Sequence, residues 1–302
     1  MNFVKDEQSL CSIIEELMMT NRKGVLYVVA TPIGNLQDLS ARAIATLKGV
    51  SRIAAEDTRH SARLLSHYGI DTPMVALHEH NEREITPQLL DRLAAGDDLA
   101  LISDAGTPLI SDPGFCLVRA ARAAGFRLTP VPGPAACIAA LSVAGLPADH
   151  FVFEGFLPAR AAARRRRLEE LKRENRTLVF HESSHRIVEC LGDMAEILGG
   201  DRPAVIAREL TKVFETIESG ALDALRIWLQ ADPNQQKGEF VVLVQGSPAV
   251  GDGALDEAAR QVLAVLVEEL PLKQAASLAA KITGLSRNEL YAKALEMKQD
   301  TP

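Results

Sequence analysis

The sequence predicts an α/β protein, with two consecutive α/β domains and a small C-terminal helical domain. Three observations carry that expectation. Short runs that are apolar throughout alternate with helix-like stretches in the first half, strands with fewer helices between them follow, and only helical patterns come after a Gly/Pro-rich linker. At 302 residues the chain has room for about two domains of roughly 150 residues, each with a substantial core.

The elements follow in order. Leu10, Ile13, Ile14, Leu17 and Met18 form one helical face in the extension 1–23, with Met18 or Met19 as an alternative start. Asp6, Glu7, Glu15 and Glu16 make that extension unlike an export signal. Strands are expected at Val25–Ala30, Ile53–Ala55, Met74–Leu77, Leu99–Ile102 and Leu128–Val131. Helices fall between them at Ala41–Leu47, Ser61–Tyr68, Pro87–Ala95 and Phe115–Ala124, which makes residues 24–146 a mainly parallel α/β domain.

Residues 147–246 form the second domain. Its strands are Phe151–Phe156, Thr177–Phe180, Ala204–Ala207, Glu215–Ser219 and Phe240–Val244. The last two, separated by a helix at Leu222–Leu229, read as a late hairpin-like pair in a mixed sheet. A linker at Gly246–Gly253 leads to a three-helix domain, 252–300, broken at Pro271 and Gly284. Ser286 and Glu289 have the capping-box spacing for its last helix. It reads as a helix-turn-helix that touches nucleic acid or as a packing bundle; six basic against eight acidic residues beyond Gly246 do not favour phosphate contact.

Composition narrows the function. Hydrophobic residues at 47% and charged residues at 24% describe an ordinary folded protein, and 33 basic against 40 acidic residues leave a net charge of −7, so any nucleic-acid contact must be local. Four cysteines (Cys11, Cys116, Cys137, Cys190) without C-x-x-C spacing exclude a thiolate zinc site and a disulfide framework, and fit a reducing cytoplasm. No apolar run approaches the ~18 residues of a membrane span.

The string His181-Glu182-Ser183-Ser184-His185 matches H-E-x-x-H, but a strand leads into it, so the two imidazoles would not share a helix face and no metal is expected. His78 and His80 read as a polar strand end. No G-x-G-x-x-G follows the first strand and no P-loop occurs, which disfavours NAD and ATP. Instead, turns at Ala30–Leu36, Ser103–Gly114 and Val131–Ala136 follow three strands, and Gly/Pro-rich turns at strand carboxyl ends are where α/β sheets bind ligands.

These stretches together carry a resemblance: VATPIGNLQDLSARA (29–43), AAEDTRHSARLL (54–65), ISDAGTPLISDPG (102–114), VPGPAACIAAL (131–141), FVFEGFLPAR (151–160), TLVFHESSHR (177–186), ARELTKVFE (207–215) and KGEFVVLV (237–244). From Gly24 to Gln245 the chain resembles the ribosomal RNA small subunit methyltransferase I family of the tetrapyrrole-methylase-like superfamily. It departs from that pattern in the first 23 residues and at His181, where Tyr is expected. The resemblance implies two α/β domains of the tetrapyrrole methylase type with S-adenosylmethionine in the cleft between them, a homodimer, and no metal. It implies methyl transfer to the ribose 2′-hydroxyl of a cytidine in the decoding region of 16S rRNA, free or in the 30S subunit. By position in the matching motifs, Pro32, Gly34, Asp104, Ala105, Gly106, Ile110, Ser111, Gly133, Pro134 and Ala135 would bind the cofactor.

A ribose hydroxyl is a poor acid, so a base or a cation near the developing alkoxide should help. The polar candidates are Glu56, Asp57 and Arg59, then Glu182, then Arg208, Glu209 and Lys212. Lys212 or Glu182 is the first choice for proton acceptor or orienter, with Arg208 and Arg59 gripping RNA and Asp57 beside them; interdomain ion pairs are the alternative use. Residues 160–176 hold eight basic and three acidic side chains, and Arg160, Arg164, Arg165, Arg166 and Arg167 would contact the RNA backbone, or form a solvated helix face. Two other functions stay open: a tetrapyrrole or other small-molecule methyltransferase, and a non-catalytic RNA-binding ribosome assembly factor.

Overall fold

The computed structural model describes residues 22–248 and 257–299. The amphipathic stretch expected before residue 22 and most of the linker lie outside the described residues. Two compact units divide the chain between Gly246 and Ser247.

The first sheet consists of β1 (Val25–Val29), β2 (Arg52–Ala55), β3 (Met74–Ala76), β4 (Leu99–Ile102) and β5 (Arg127–Val131) in the order β3-β2-β4-β1-β5. Every pairing is parallel. Helices α1 (Ala41–Gly49), α2 (Thr58–His67), α3 (Glu82–Ala94) and α4 (Phe115–Ala123) connect the strands. One core gathers Val29, Leu47, Ile53 and Leu65, and another gathers Leu26, Leu93, Leu101 and Leu117. Burial on both faces is why β4 reads as uninterrupted Leu-Ala-Leu-Ile.

The strand order has a functional consequence. The chain leaves β1 toward β2 and leaves β4 toward β5, in opposite directions across the sheet, so the switch point lies between β4 and β1. Crevices open at such points, beyond the carboxyl ends of the strands.

The second sheet is mixed. It consists of β6 (Phe151–Phe156), β7 (Thr177–Ser183), β8 (Pro203–Arg208), β9 (Thr216–Ala221) and β10 (Glu239–Val244) in the order β6-β7-β10-β8-β9. Only β6 and β7 pair in parallel. The hairpin expected between the last two strands does not form. Instead β9 pairs with β8, and β10 inserts between β7 and β8, with Phe240 opposite both Glu182 and Arg208. Burial explains the exchange: β10 is apolar and buried from Phe240 onward and needs neighbours on both edges, whereas β9 carries Thr216, Glu218 and Ser219 and suits an edge.

One face of this sheet packs on α6 (Ala161–Leu171), α7 (Ile187–Leu198) and α8 (Leu222–Ala231), through Leu168, Leu191, Leu225, Phe180 and Val242. The other face packs on α5 (Ala136–Ala144), whose Cys137, Ala140, Leu141 and Ala144 meet Val179, Val205, Val241 and Leu243. Since α5 continues directly from the turn after β5, it carries the chain from one sheet onto the other. The C-terminal unit has α9 (Glu257–Glu269), α10 (Leu272–Thr283) and α11 (Arg287–Gln299) around Leu263, Ala276, Ala279, Leu290 and Ala294. Its breaks fall at Pro271 and at left-handed Gly284, and α11 begins one residue after Ser286.

Candidate active site

Three turns separated in sequence meet at the switch point. After β1, Thr31 and Gly106 exchange backbone hydrogen bonds of 2.8 and 3.1 Å, and the Thr31 hydroxyl donates to Ser103 O at 3.1 Å. The hydroxyl of Thr107 donates to Pro134 O at 3.0 Å and ties in the turn after β5. Packing is tight here: a Cβ on Gly133 would lie 3.0 Å from that of Ala30, and Gly106 takes φ +86°.

Beside these turns a cavity of about 420 Å³ lies between the two sheets, a volume suited to a small organic ligand. Ile33, Ala105, Ile110, Ser111 and Asp112 line one side, and Ala136 at the start of α5 continues it. Phe156, His181, Ala207, Leu210, Glu239 and Val241 line the other. Two of the lining loops hold non-glycine residues in the left-handed region: Leu109 and Ser111 at φ 73° and 69°, Glu209 and Thr211 at φ 51° and 66°. Such strain persists where surrounding structure over-determines it, and it gathers at ligand clamps. A bulge between Phe153 and Gly155 bends β6 beside Ser111, and Phe156 beyond it is half-exposed at the cavity.

The residues assigned to the cofactor divide in position. Ala105, Ile110 and Ser111 are in the wall. Pro32 adjoins Ile33, and Gly106, Gly133, Pro134 and Ala135 form the interlocked turns behind it. Asp104 accepts the backbone N–H of Asp57 at 3.0 Å. Gly34 belongs to a separate groove with Leu36, His67 and Lys212, where a Cβ would lie 2.4 Å from Lys212 Cγ.

The expected polar set needs correction. Residues alternate along β7: Val179 and His181 face the α5 side, while Phe180 and Glu182 face the helices. The Glu182 carboxylate is therefore buried toward α7, 3.3 Å from Arg186 and hydrogen-bonded with Cys190, whose thiol burial and that carboxylate push far up. It is a poor choice for proton acceptor. Lys212 bridges Glu209 and Glu239 at 2.9 Å each. Burial opposes its charge, but those two hydrogen bonds prevail and hold its pKa above the ordinary lysine value, so it keeps its proton at neutral pH. Arg208 does not reach outward: it is 7% exposed and donates to Lys237 O at 2.6 Å, Asn234 O at 3.0 Å and Phe214 O at 3.1 Å. It braces the loops on either side of β9 and α8.

Asp57 caps α2, accepting the N–H groups of Arg59 and His60, which hold its pKa below the ordinary range. Arg59 projects into solvent, its guanidinium 3.5 Å from Asp57. His181 sits on a strand and His185 in the turn before α7, so H-E-x-x-H lacks the helix its zinc geometry requires. Phe153 and Phe156 hold the His181 ring edge-on at 5.0 and 5.5 Å, and burial lowers its pKa, leaving it neutral.

The arginine run needs the same scrutiny. At about 100° per residue, four successive side chains on α6 point four ways. Arg164 is 3% exposed and pairs with Asp193 at 2.6 Å; Arg165 pairs with Asp193 and Glu196; Arg167 pairs with Glu154 and Glu170. These three are committed to neighbouring acids, whereas Arg160 and Arg166 are exposed and have no ion-pair partner among the described residues.

Sequence reasoning passed over Asp112, Phe156, Glu239 and Val241 as site residues. Asp112 had a signal, since it stands inside the longest Gly/Pro-rich turn. In the cavity wall its pKa is raised to about 6, first by burial and then by Glu56 and Asp104, against a hydrogen bond from Ser103. Burial raises Glu56 as well, followed by Asp104, Glu79 and Asp57. The other three belong to strands whose meeting depends on the antiparallel insertion of β10.

Residues 25–226 match the model of the Tetrapyrrole (Corrin/Porphyrin) Methylases, and residues 253–298 match that of the RsmI C-terminal HTH domain. The chain is 59% identical over 274 residues to Ribosomal RNA small subunit methyltransferase I of Pseudomonas aeruginosa, covering 90% of this chain and 97% of that one. It is 51% identical to the protein of the same name in Escherichia coli O157:H7, covering 92% and 97%. Among solved structures, diphthine synthase aligns with a TM-score of 0.57 at 15% identity, covering 74% of this chain and 90% of that one. A uroporphyrin-III C-methyl transferase from Thermus thermophilus, complexed with S-adenyl homocysteine, aligns at 0.50 with 19% identity, covering 73% and 97%. At such identities the solved structures speak for the fold alone.

Proposed function

The chain belongs to the ribosomal RNA small subunit methyltransferase I family of tetrapyrrole methylases, and from that membership we propose that it methylates 16S rRNA at the ribose 2′-hydroxyl of a cytidine in the decoding region. The observation that carries this is the coincidence, in one chain, of 59% identity to a named rRNA methyltransferase with a closed set of turns around a ligand-sized cavity.

The wall suits S-adenosylmethionine. Ile33, Ile110, Ala136, Leu210 and Val241 offer an apolar bed for an adenine ring, the interlocked turns offer backbone amides and carbonyls, and Asp112, on which Glu56 and Asp104 act, favours a cation. The repulsion from Glu56 and Asp104 that helps burial raise Asp112 is relieved by a positive ligand. When bound, S-adenosylmethionine supplies an electrophilic sulfonium methyl.

The protein's own task is alignment, which contributes roughly 7 to 11 kcal/mol when the reacting atoms are held in line. Phe156, at the cavity and half-exposed, offers a face for the substrate nucleotide. Lys212, charged between Glu209 and Glu239, orients the loop after β8, whose Leu210 lines the cavity. Arg160 and Arg166 grip the RNA backbone, and the C-terminal helices add a second contact. Assembled 30S subunits or free 16S rRNA are the substrate, the protein works in the cytoplasm as a homodimer, and the described residues contain no helix long and apolar enough to cross a membrane.

Purified protein, labelled S-adenosylmethionine and unmethylated 30S subunits test the proposal. Mass spectrometry of the digested rRNA should find one 2′-O-methylcytidine. Label transferred only to a tetrapyrrole would favour a small-molecule enzyme, and cofactor binding without transfer to RNA would favour an assembly factor.

A further inference from the structure

Helix α2 carries Arg59, His60, Arg63 and His67 and no acidic side chain. Arg59, Arg63 and His67 are four residues apart and so stand in one row along the helix, with His60 and Ser66 on its flanks; all five are exposed. The opposite face holds Ser61 and Leu65, both buried. Charge on the exposed row is largely uncommitted. Arg63 has no ion-pair partner among the described residues, and the Arg59 side chain is 92% exposed with only the capping Asp57 at 3.5 Å. Three of the arginines on α6, by contrast, are held by acids.

The two ends of the row reach different parts of the site. At the amino end, the N–H of Asp57 donates to Asp104 at 3.0 Å, in the turn whose Ala105 lines the cavity. At the carboxyl end, His67 lines the open groove of about 590 Å³ together with Leu36, Gln37 and Lys212, and the Tyr68 hydroxyl donates to Leu36 O. Groove and cavity are neighbours: Ile33 and Leu210 line the cavity, while Gly34 and Thr211, next in the chain, line the groove. Half-exposed Leu36, the His67 ring and the Gln37 amide combine apolar surface with hydrogen-bonding groups, which is what an unstacked base requires.

We propose that α2 and this groove form the track for the RNA strand flanking the target nucleotide, an inference that rests on reading the neighbouring cavity as the site of rRNA methylation. Arg59 and Arg63 meet successive phosphates, and the groove receives one unpaired base, stacked on His67 and Leu36. Charge complementarity selects this occupant. A net charge of −7 repels a polyanion from the molecule as a whole, so unneutralised guanidinium groups beside the cavity are where a phosphate backbone is held. A flanking strand fixed there decides which nucleotide reaches the cavity.

Binding of the full-length protein to unmethylated 30S subunits over a salt series at pH 8 tests this. Arg63→Ala should lower the slope of log affinity against log salt by about 0.7 to 0.9, the share of one phosphate contact. His67→Ala should weaken binding about 5-fold or more at every salt concentration and leave the slope unchanged, because stacking releases no counterions. Both variants should keep the wild-type unfolding temperature and calorimetric affinity for S-adenosylmethionine, since both residues are exposed and lie outside the cavity. With the photoreactive amino acid p-benzoylphenylalanine in place of Ser66, crosslinks should fall on 16S rRNA close in sequence to the methylated cytidine. An unaltered slope in Arg63→Ala, wild-type affinity in His67→Ala, or crosslinks to a ribosomal protein overturns the assignment. So does a loss of affinity accompanied by a lower unfolding temperature. A wild type that transfers no methyl group to rRNA overturns the reading beneath it instead.

Discussion

The turns at the carboxyl edge of the first sheet and the arginine run on α6 behave oppositely. Thr31, Gly106 and Pro134 come from distant parts of the chain, yet hydrogen bonds tie their turns into one wall. Arg164, Arg165, Arg166 and Arg167 are consecutive, yet they separate around a helix and three of them find acids on β6, α6 and α7. A local excess of charge counted along the chain is thus largely neutralised in space. Parallel strands bring their following loops to one edge regardless of sequence distance; a helix distributes neighbours regardless of sequence proximity.

Substitutions can break this comparison, beginning with the largest effect. Arg164→Ala leaves Asp193 with Arg165 alone, without its buried partner, and should cost about 1.5 to 3 kcal/mol of stability in urea unfolding. If α6 instead used Arg164 to hold RNA, stability would stay and only RNA affinity would fall. Gly133→Val drives a branched side chain into Ala30, and overpacking of about 1 to 3 kcal/mol should weaken S-adenosylmethionine binding roughly 5- to 100-fold by calorimetry. Unchanged affinity would separate the β5 turn from the cofactor. Arg166→Ala should leave the unfolding temperature alone and lower the slope of log affinity against log salt by about 0.7 to 0.9; an unaltered slope would remove α6 from the RNA interface.

The smallest effect concerns His181. Burial lowers its pKa below 6.5, so the neutral ring contributes stability that is complete above that pH and is lost as pH falls through the folded value. His181→Phe should flatten the acid side of the stability profile. A profile that stays as steep would place the imidazole in contact with water.

Legibility in the sequence followed the same division. The parallel half was readable because β1, β2 and β4 are buried on both faces and their turns carry glycine and proline. Pairing in the second sheet was not. The apolar run of β10 announced a buried strand but not its place between β7 and β8, so Glu239 and Val241 could not be assigned to the cavity from local pattern. Glu182 and Arg208 stood at promising strand ends, and the alternation that turned Glu182 toward α7 becomes decidable only once register is known. Asp112 was visible as a residue and invisible as an acid with altered proton affinity, because its burial is tertiary and Glu56 reaches it through the sheet order.

The most direct test of the account is a crystal structure with S-adenosylhomocysteine bound. The account predicts density between Ile33, Ser111, Ala136 and Val241, within the cavity bordered by both sheets. Density in the groove by Gly34, Leu36 and Lys212, with that cavity unfilled, would contradict it.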